Sequence, residues 1–333
     1  MIRSEEYRRR ATALSLRMLA VAAAYYVSGG LGLLRQVTVN GAVVTPLWPP
    51  TGIALGCLLI LGPHIWPGIA LGSLLVIATL SASVTPSTAA VVAGNTLAPV
   101  CACLMLRRVG FRPELDRLRD GVMLVFLGAL AGMAVSATVG TAMLALDGKL
   151  PTSGFWTVWV AWWAGDAMGV LVVTPLVLVV LRKLRMPRVT DRWIEAGALL
   201  TVTVAGSLLA TRGPLSMLYL VFPILIWAAL RFQLAGSAPC ALLVSVLAVV
   251  AGTEQVGPFA GHGTVEVMIN LTVLNGAVAL TSLLLAAIVA EQQNIRRRIE
   301  RACEELADVV DHLAPGKSAA AWPSRARDER EGR

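Results

Sequence analysis

Apolar positions along this chain gather into long blocks separated by short polar or Pro/Gly-rich breaks. They do not alternate as in half-buried strands, nor mark one face as in soluble helices. The blocks fall at 11–34, 50–62, 65–82, 88–106, 121–145, 155–181, 194–210, 215–230, 236–252 and 265–290. Most approach the roughly 20 residues a helix needs to cross a hydrocarbon core of ~30 Å. The pattern predicts an all-α fold, a polytopic membrane bundle of about 10 transmembrane segments. One block is short: Thr51 to Gly62 gives only about 18 Å of helix. An alternative is therefore eight spans, with 50–62 and 65–82 forming a re-entrant hairpin that turns at Gly62-Pro63-His64. A single kinked helix over 51–82 is rejected, because it would strand Arg107 and Arg108 away from the other basic residues.

The pattern changes after Ile288. Apolar residues then recur at Ile295, Ile299, Ala302, Leu306, Val309 and Leu313, with Gln292 at the one polar seam position. Steps alternating between four and three are the seam of a coiled coil. They predict a homodimer through Ile295, Ile299, Leu306, Val309 and Leu313, with a solvated amphipathic helix as the alternative. The expected organisation is a cytoplasmic start at 1–10, a membrane domain at 11–290, a cytoplasmic coiled-coil helix at 291–313 and a disordered tail at 314–333.

Composition agrees with this reading. The chain is 56% apolar and 14% charged, with a mean hydropathy of +0.73, whereas soluble domains are roughly 45–50% apolar and about 25% charged. The net charge of +8 does not point to nucleic acid, because the basic residues flank apolar blocks. Under the ten-segment reading 25 of the 28 Lys and Arg share one side, leaving Arg35, Lys149 and Arg212 opposite. The positive-inside rule then places both termini in the cytoplasm and the chain in the inner membrane. The start at Arg8-Arg9-Arg10 resembles a signal peptide but is read as an uncleaved first span. Cys57, Cys101, Cys103, Cys240 and Cys303 are odd in number and four lie in apolar blocks, so no disulfide framework is expected. No nucleotide, hydrolase or metalloprotease motif occurs, and His64, His262 and His312 stand apart. No enzyme activity, cofactor or metal site is expected.

The sharpest chemical feature lies in the sixth block. Asp166 is the lone acid of its interior, about 16 Å from the outer end at 1.5 Å per residue. A charge there costs at least about 2.5–3.5 kcal/mol on insertion scales, so it should face the bundle interior, a cavity or a partner. Trp159, Trp162 and Trp163 precede it by one to two turns, predicting an aromatic wall over an acidic floor for a cationic or polar small ligand. Structural hydrogen bonding between helices is the alternative. With no basic residue at matching depth, the expected partners are Asn95, Asn270, Asn275 or a water. Gly165 and Gly169, four apart, predict close helix packing. A second feature, Trp48-Pro49-Pro50-Thr51, starts a short helix whose free N–H groups make a candidate anion site; a rigid headgroup-level turn is the alternative.

These residues also carry a resemblance. Trp48-Pro49-Pro50-Thr51-Gly52-Ile53-Ala54-Leu55, then Gly62 to Ser73, then Gly94-Asn95-Thr96-Leu97, then Trp162 to Pro175 together resemble the bacterial membrane-associated sensor domain family, MASE type one, over residues 15–290. The resemblance implies an integral membrane sensor module that serves a cytoplasmic kinase or cyclase output. Family members are commonly fused to that output. With 43 residues after 290, the expectation here is a separate cytoplasmic kinase, cyclase or phosphatase partner. A small-solute transporter, suggested by the short Pro-broken segment and the midplane acid, is the alternative.

Overall fold

The computed structural model describes residues 2–80, 85–185, 192–213 and 217–313. It is helical almost throughout. Helix α1 (Ile2–Leu33) leads into a small antiparallel hairpin, β1 (Val37–Val39) and β2 (Ala42–Val44), then α2 (Pro49–Leu61), a 3-10 turn at Pro63–Ile65, α3 (Trp66–Leu80) and α4 (Pro86–Arg108). Next come α5 (Leu118–Met123), a π-helical stretch (Leu124–Ala131) and α6 (Gly132–Leu146), then α7 (Phe155–Arg185), α8 (Trp193–Arg212), α9 (Val221–Phe232), α10 (Leu234–Thr253) and α11 (Thr264–Leu313).

Among the described residues, eight stretches are long and apolar enough to cross a membrane, and Pro49–Leu61 and Leu218–Phe232 are shorter apolar helices. Each of the ten blocks is thus helical over most of its described residues, but the doubtful pair differs from expectation. The 65–82 block gains its entering 3-10 turn and becomes full length, while the 215–230 block joins 50–62 as the second short helix. Two local features were not expected at all. The break after 34 holds the hairpin, whose turn is Asn40 (φ 49°) and Gly41 (φ 82°), the two-residue geometry that suits the strand twist. The 121–145 block carries the π stretch.

Charged residues mark the two ends of the bundle. Glu254, following α10, receives Arg35 at 3.0 Å and Arg212 at 2.9 Å, which gathers the C-terminal ends of α1, α8 and α10. Glu195, in the first turn of α8, pairs with Arg192 and with Arg231 at the end of α9. These clusters sit at opposite ends of α8, so α9 returns the chain from the Arg212 end to the Glu195 end despite its length. Arg107 of α4 donates to the Leu58 carbonyl of α2 at 3.3 Å, which places the last turn of α2 beside the C-terminal end of α4. The alternating order of ten segments is therefore retained.

Backbone-to-backbone contact holds the centre. A Cβ on Gly52 would strike the Gly169 carbonyl, one on Gly169 the Trp48 carbonyl, one on Gly165 the Thr45 carbonyl, and one on Gly56 would lie 2.7 Å from Val177. α2 and α7 thus meet through glycine pairs four apart on both helices, the close approach that favours association in lipid. Gly68 and Gly72 do the same for α3 against Met18, Ala22 and Tyr25 of α1. At α2 itself, Pro49 and Pro50 occupy the first helical positions, where a missing N–H costs nothing, and Gly62 at φ 104° ends the helix.

The chain divides into two units, Met1–Val289 and Ala290–Arg333. In the second, Ile295, Ile299, Leu306 and Val309 are all more than half exposed, and Arg296 pairs with Glu300 at 3.1 Å. The expected tail at 314–333 and the side chain of Leu313 lie outside the described residues.

Candidate functional site

Helix α7 runs through the middle of the first unit and brings Asp166 to 2% exposure. Its Oδ2 accepts from the Ser136 hydroxyl of α6 at 2.5 Å, and that hydroxyl also lies 3.3 Å from Asn95 Oδ1 of α4. Asn95 Nδ2 donates to Ser73 Oγ of α3 at 3.2 Å. A hydroxyl has one proton, so the short bond to the carboxyl group takes most of it. The result is a buried polar chain, Asp166–Ser136–Asn95–Ser73, that crosses four helices. Of the three expected amides, Asn95 joins this network, through Ser136 and not directly. Asn270 is exposed, and Asn275 is wholly buried elsewhere with neither amide atom partnered among the described residues.

The Trp48–Thr51 corner docks on the same stretch of α7. Trp48 N donates to the Gly165 carbonyl at 2.9 Å, and Thr51 Oγ1 lies 2.8 Å from the Trp48 carbonyl and 3.1 Å from the Asp166 carbonyl. About two helical turns further along α7, Thr174 donates to the Gly52 carbonyl at 3.0 Å. These bonds are possible because Gly165 and Gly169 let the corner approach. The corner is therefore fastened to the backbone of the acidic residue itself. Pro50 is buried with it, while Pro49 faces a separate apolar groove of about 650 Å³ bounded by α1, α7 and α10.

Beside the polar chain lies a cavity of about 120 Å³. Asp166, Asn95, Ser73, Tyr25, Trp48 and Trp162 line it, and Leu33, Leu80, Val43 and Thr45 line it toward the Arg35 end of the bundle. No Lys, Arg or His lines it among the described residues. Tyr25 is 0% exposed, and its hydroxyl has no hydrogen-bond partner among the described residues.

The expected tryptophan wall divides. Trp162 lines the cavity and packs against Gly140, where a Cβ would lie 2.6 Å from the indole. Trp159 instead donates to Thr138 at 3.0 Å and stacks on Trp163 with centroids 5.8 Å apart. Trp163 donates to the Leu130 carbonyl at 2.8 Å, within the π stretch. A π turn shifts the usual carbonyl pairing, and such turns recur where a helix wall is adapted to a site. Three members of the site were missed: Ser136, Tyr25 and Thr45. Their signal is faint, a hydroxyl within an apolar block or at its edge. Ser73 stood inside a quoted motif without a role.

Chemically, the site offers an isolated carboxyl group, the hydroxyls of Ser73, Ser136, Tyr25 and Thr45, an amide and aromatic rings around a partly open space. No curated protein and no solved structure gives a significant match to the chain. The family model MASE1 matches residues 17–293, which include every residue of the cavity and of the polar chain. The chain, with its many apolar helices around a buried polar centre, therefore belongs to MASE1, a family of membrane-associated sensor domains.

Proposed function

We propose that this protein is a sensory module of the bacterial inner membrane with both termini in the cytoplasm. It registers a small ligand at Asp166 and passes the event along α11 to a separate cytoplasmic kinase, cyclase or phosphatase. The observation that carries this is the buried chain Asp166–Ser136–Asn95–Ser73 beside the cavity. A carboxyl group this deep is costly to keep, and a purely apolar core would pack the same helices without it. The chain also links α3, α4, α6 and α7, so an altered hydrogen bond at Asp166 bears on four helices together. Support for the orientation comes from the 25 basic residues on one side. The exposed seam of Ile295, Ile299, Leu306 and Val309 supports dimerisation as the route to the partner.

The test is a chromosomal Asp166→Asn allele compared with a deletion of the gene. Asn keeps shape and hydrogen-bonding capacity but removes the charge. The variant is expected to accumulate at wild-type levels and to reproduce the transcriptional profile of the deletion. A stable variant with the wild-type profile would leave Asp166 as a packing residue. The transport reading rests on the short Pro-led helix α2 beside a midplane acid, and Leu306→Pro separates it. Breaking α11 there should reproduce the deletion if signalling is the function, and should leave solute uptake untouched if transport is.

A further inference from the structure

We infer that the cavity beside Asp166 binds a small primary alkylammonium ion, a ligand class that deepens, and rests on, the sensory reading above. Charge comes first. Asp166 is buried and no Lys, Arg or His lines the cavity among the described residues, so a cationic ligand supplies the counter-charge that the protein leaves out. An anion would meet an acid with no donor cation to offset it.

Hydrogen bonding narrows the class. A primary ammonium group carries three N–H donors and no acceptor. The cavity presents a matching set of oxygens: the Asp166 carboxyl group, of which Ser136 occupies one oxygen, the Tyr25 hydroxyl and the hydroxyls of Ser73 and Thr45. Tyr25 is the decisive member. A buried hydroxyl without a partner costs roughly 1–3 kcal/mol, and this one is wholly buried at the cavity wall, beside Ser73 and the Trp48 indole but closing a full hydrogen bond with neither. A bound N–H satisfies it. A quaternary ammonium has no N–H and leaves it orphaned.

Size and lining complete the case. At about 120 Å³ the space is somewhat smaller than the ~150 Å³ cavity that admits benzene in another protein core, which limits the ligand to about five heavy atoms. Val76, Ile77 and Val91 supply apolar wall for a short alkyl tail. The indoles of Trp48 and Trp162 add rings whose π faces favour a cation over a neutral molecule of the same size. A hard divalent cation such as calcium or magnesium takes six or more oxygen ligands, which these apolar walls do not furnish.

The experiment uses the full chain in lipid nanodiscs, with the thermal unfolding midpoint read against ethylammonium chloride. Sodium chloride at equal ionic strength, ethanol and tetramethylammonium chloride serve as comparisons. A saturable rise with ethylammonium alone is expected. Asp166→Asn should abolish the rise from a ligand-free midpoint near wild type, and Tyr25→Phe should raise the half-saturating concentration about tenfold from a ligand-free midpoint at or above wild type. An equal rise with ethanol or tetramethylammonium, or a rise retained in Asp166→Asn, overturns the assignment. The absence of any saturable rise, together with an Asp166→Asn allele that mimics the deletion, removes the ammonium class and leaves the sensory reading standing. Saturable binding with a silent Asp166→Asn allele does the reverse.

Discussion

Ser136 is the hinge of the buried polar chain, because one hydroxyl serves both Asp166 and Asn95. Ser136→Ala leaves two buried acceptors without that donor, and should cost about 1–2 kcal/mol, the upper range for interhelical hydrogen bonds in lipid. Ser245→Ala is the matched control, since the Ser245 hydroxyl is buried with no partner among the described residues. By removing a buried hydroxyl that bonds nothing, it should leave stability unchanged or raise it by up to about 1 kcal/mol. Unfolding followed by circular dichroism in detergent compares the two, and equal losses would mean the Ser136 bonds carry no net energy. Asp166 was legible in the sequence because a lone acid in an apolar block has few explanations. Ser136 was not, because hydroxyls in membrane helices mostly bond their own backbone four residues back, as Thr138, Thr203, Thr211 and Thr272 do here. Nothing in the string of letters separates a hydroxyl that turns inward from one that turns back.

Between elements, the glycine seam of α2 and α7 makes the sharpest demand. A methyl group on Gly169 meets the Trp48 carbonyl, and backbone does not yield as a flexible side chain does. Gly169→Ala should therefore destabilise by about 1–3 kcal/mol. Gly197→Ala on α8, with open space around it, should be neutral or stabilising by up to about 1 kcal/mol, the ordinary helix preference for Ala. The same thermal assay reads both, and a tolerated Gly169→Ala would mean the helices can part. On α11, single cysteines at Ile299 or Leu306 should crosslink in membranes far more than cysteines at Glu300 or Glu304. Equal crosslinking at all four would remove the heptad seam. The Gly165/Gly169 pair was visible from its spacing, whereas its partners Gly52 and Gly56 were not, because spacing on one helix does not name the helix it meets. The hairpin was legible and missed: Val37-Thr38-Val39-Asn40-Gly41-Ala42-Val43-Val44 alternates around an Asn-Gly turn. The π stretch leaves no comparable mark, since its residues are those of any apolar span.

For the whole molecule, the Glu254 and Glu195 clusters at opposite ends give the arrangement of segments a physical test. In a background with the five native cysteines replaced, cysteines at Arg10, Arg108, Arg188 and Arg325 should react with impermeant maleimide only from the cytoplasm. Those at Lys149 and His262 should react from outside. Labelling of position 108 from outside would overturn the alternation. Fold class and segment order were readable because hydrophobic length and basic flanks act one segment at a time. The meeting of α1, α3, α4 and α7 around one cavity was not, since it depends on which faces pair. The cavity wall near the Arg35 end is made by Leu33, Leu80 and the hairpin residues Val43 and Thr45, and none of its lining residues comes from the end that holds Arg107 and Glu195. The cavity is thus lined toward one end only. On the orientation proposed above, whatever reaches Asp166 past the hairpin arrives from outside the cytoplasm, so the cell's own metabolite pool does not meet this site.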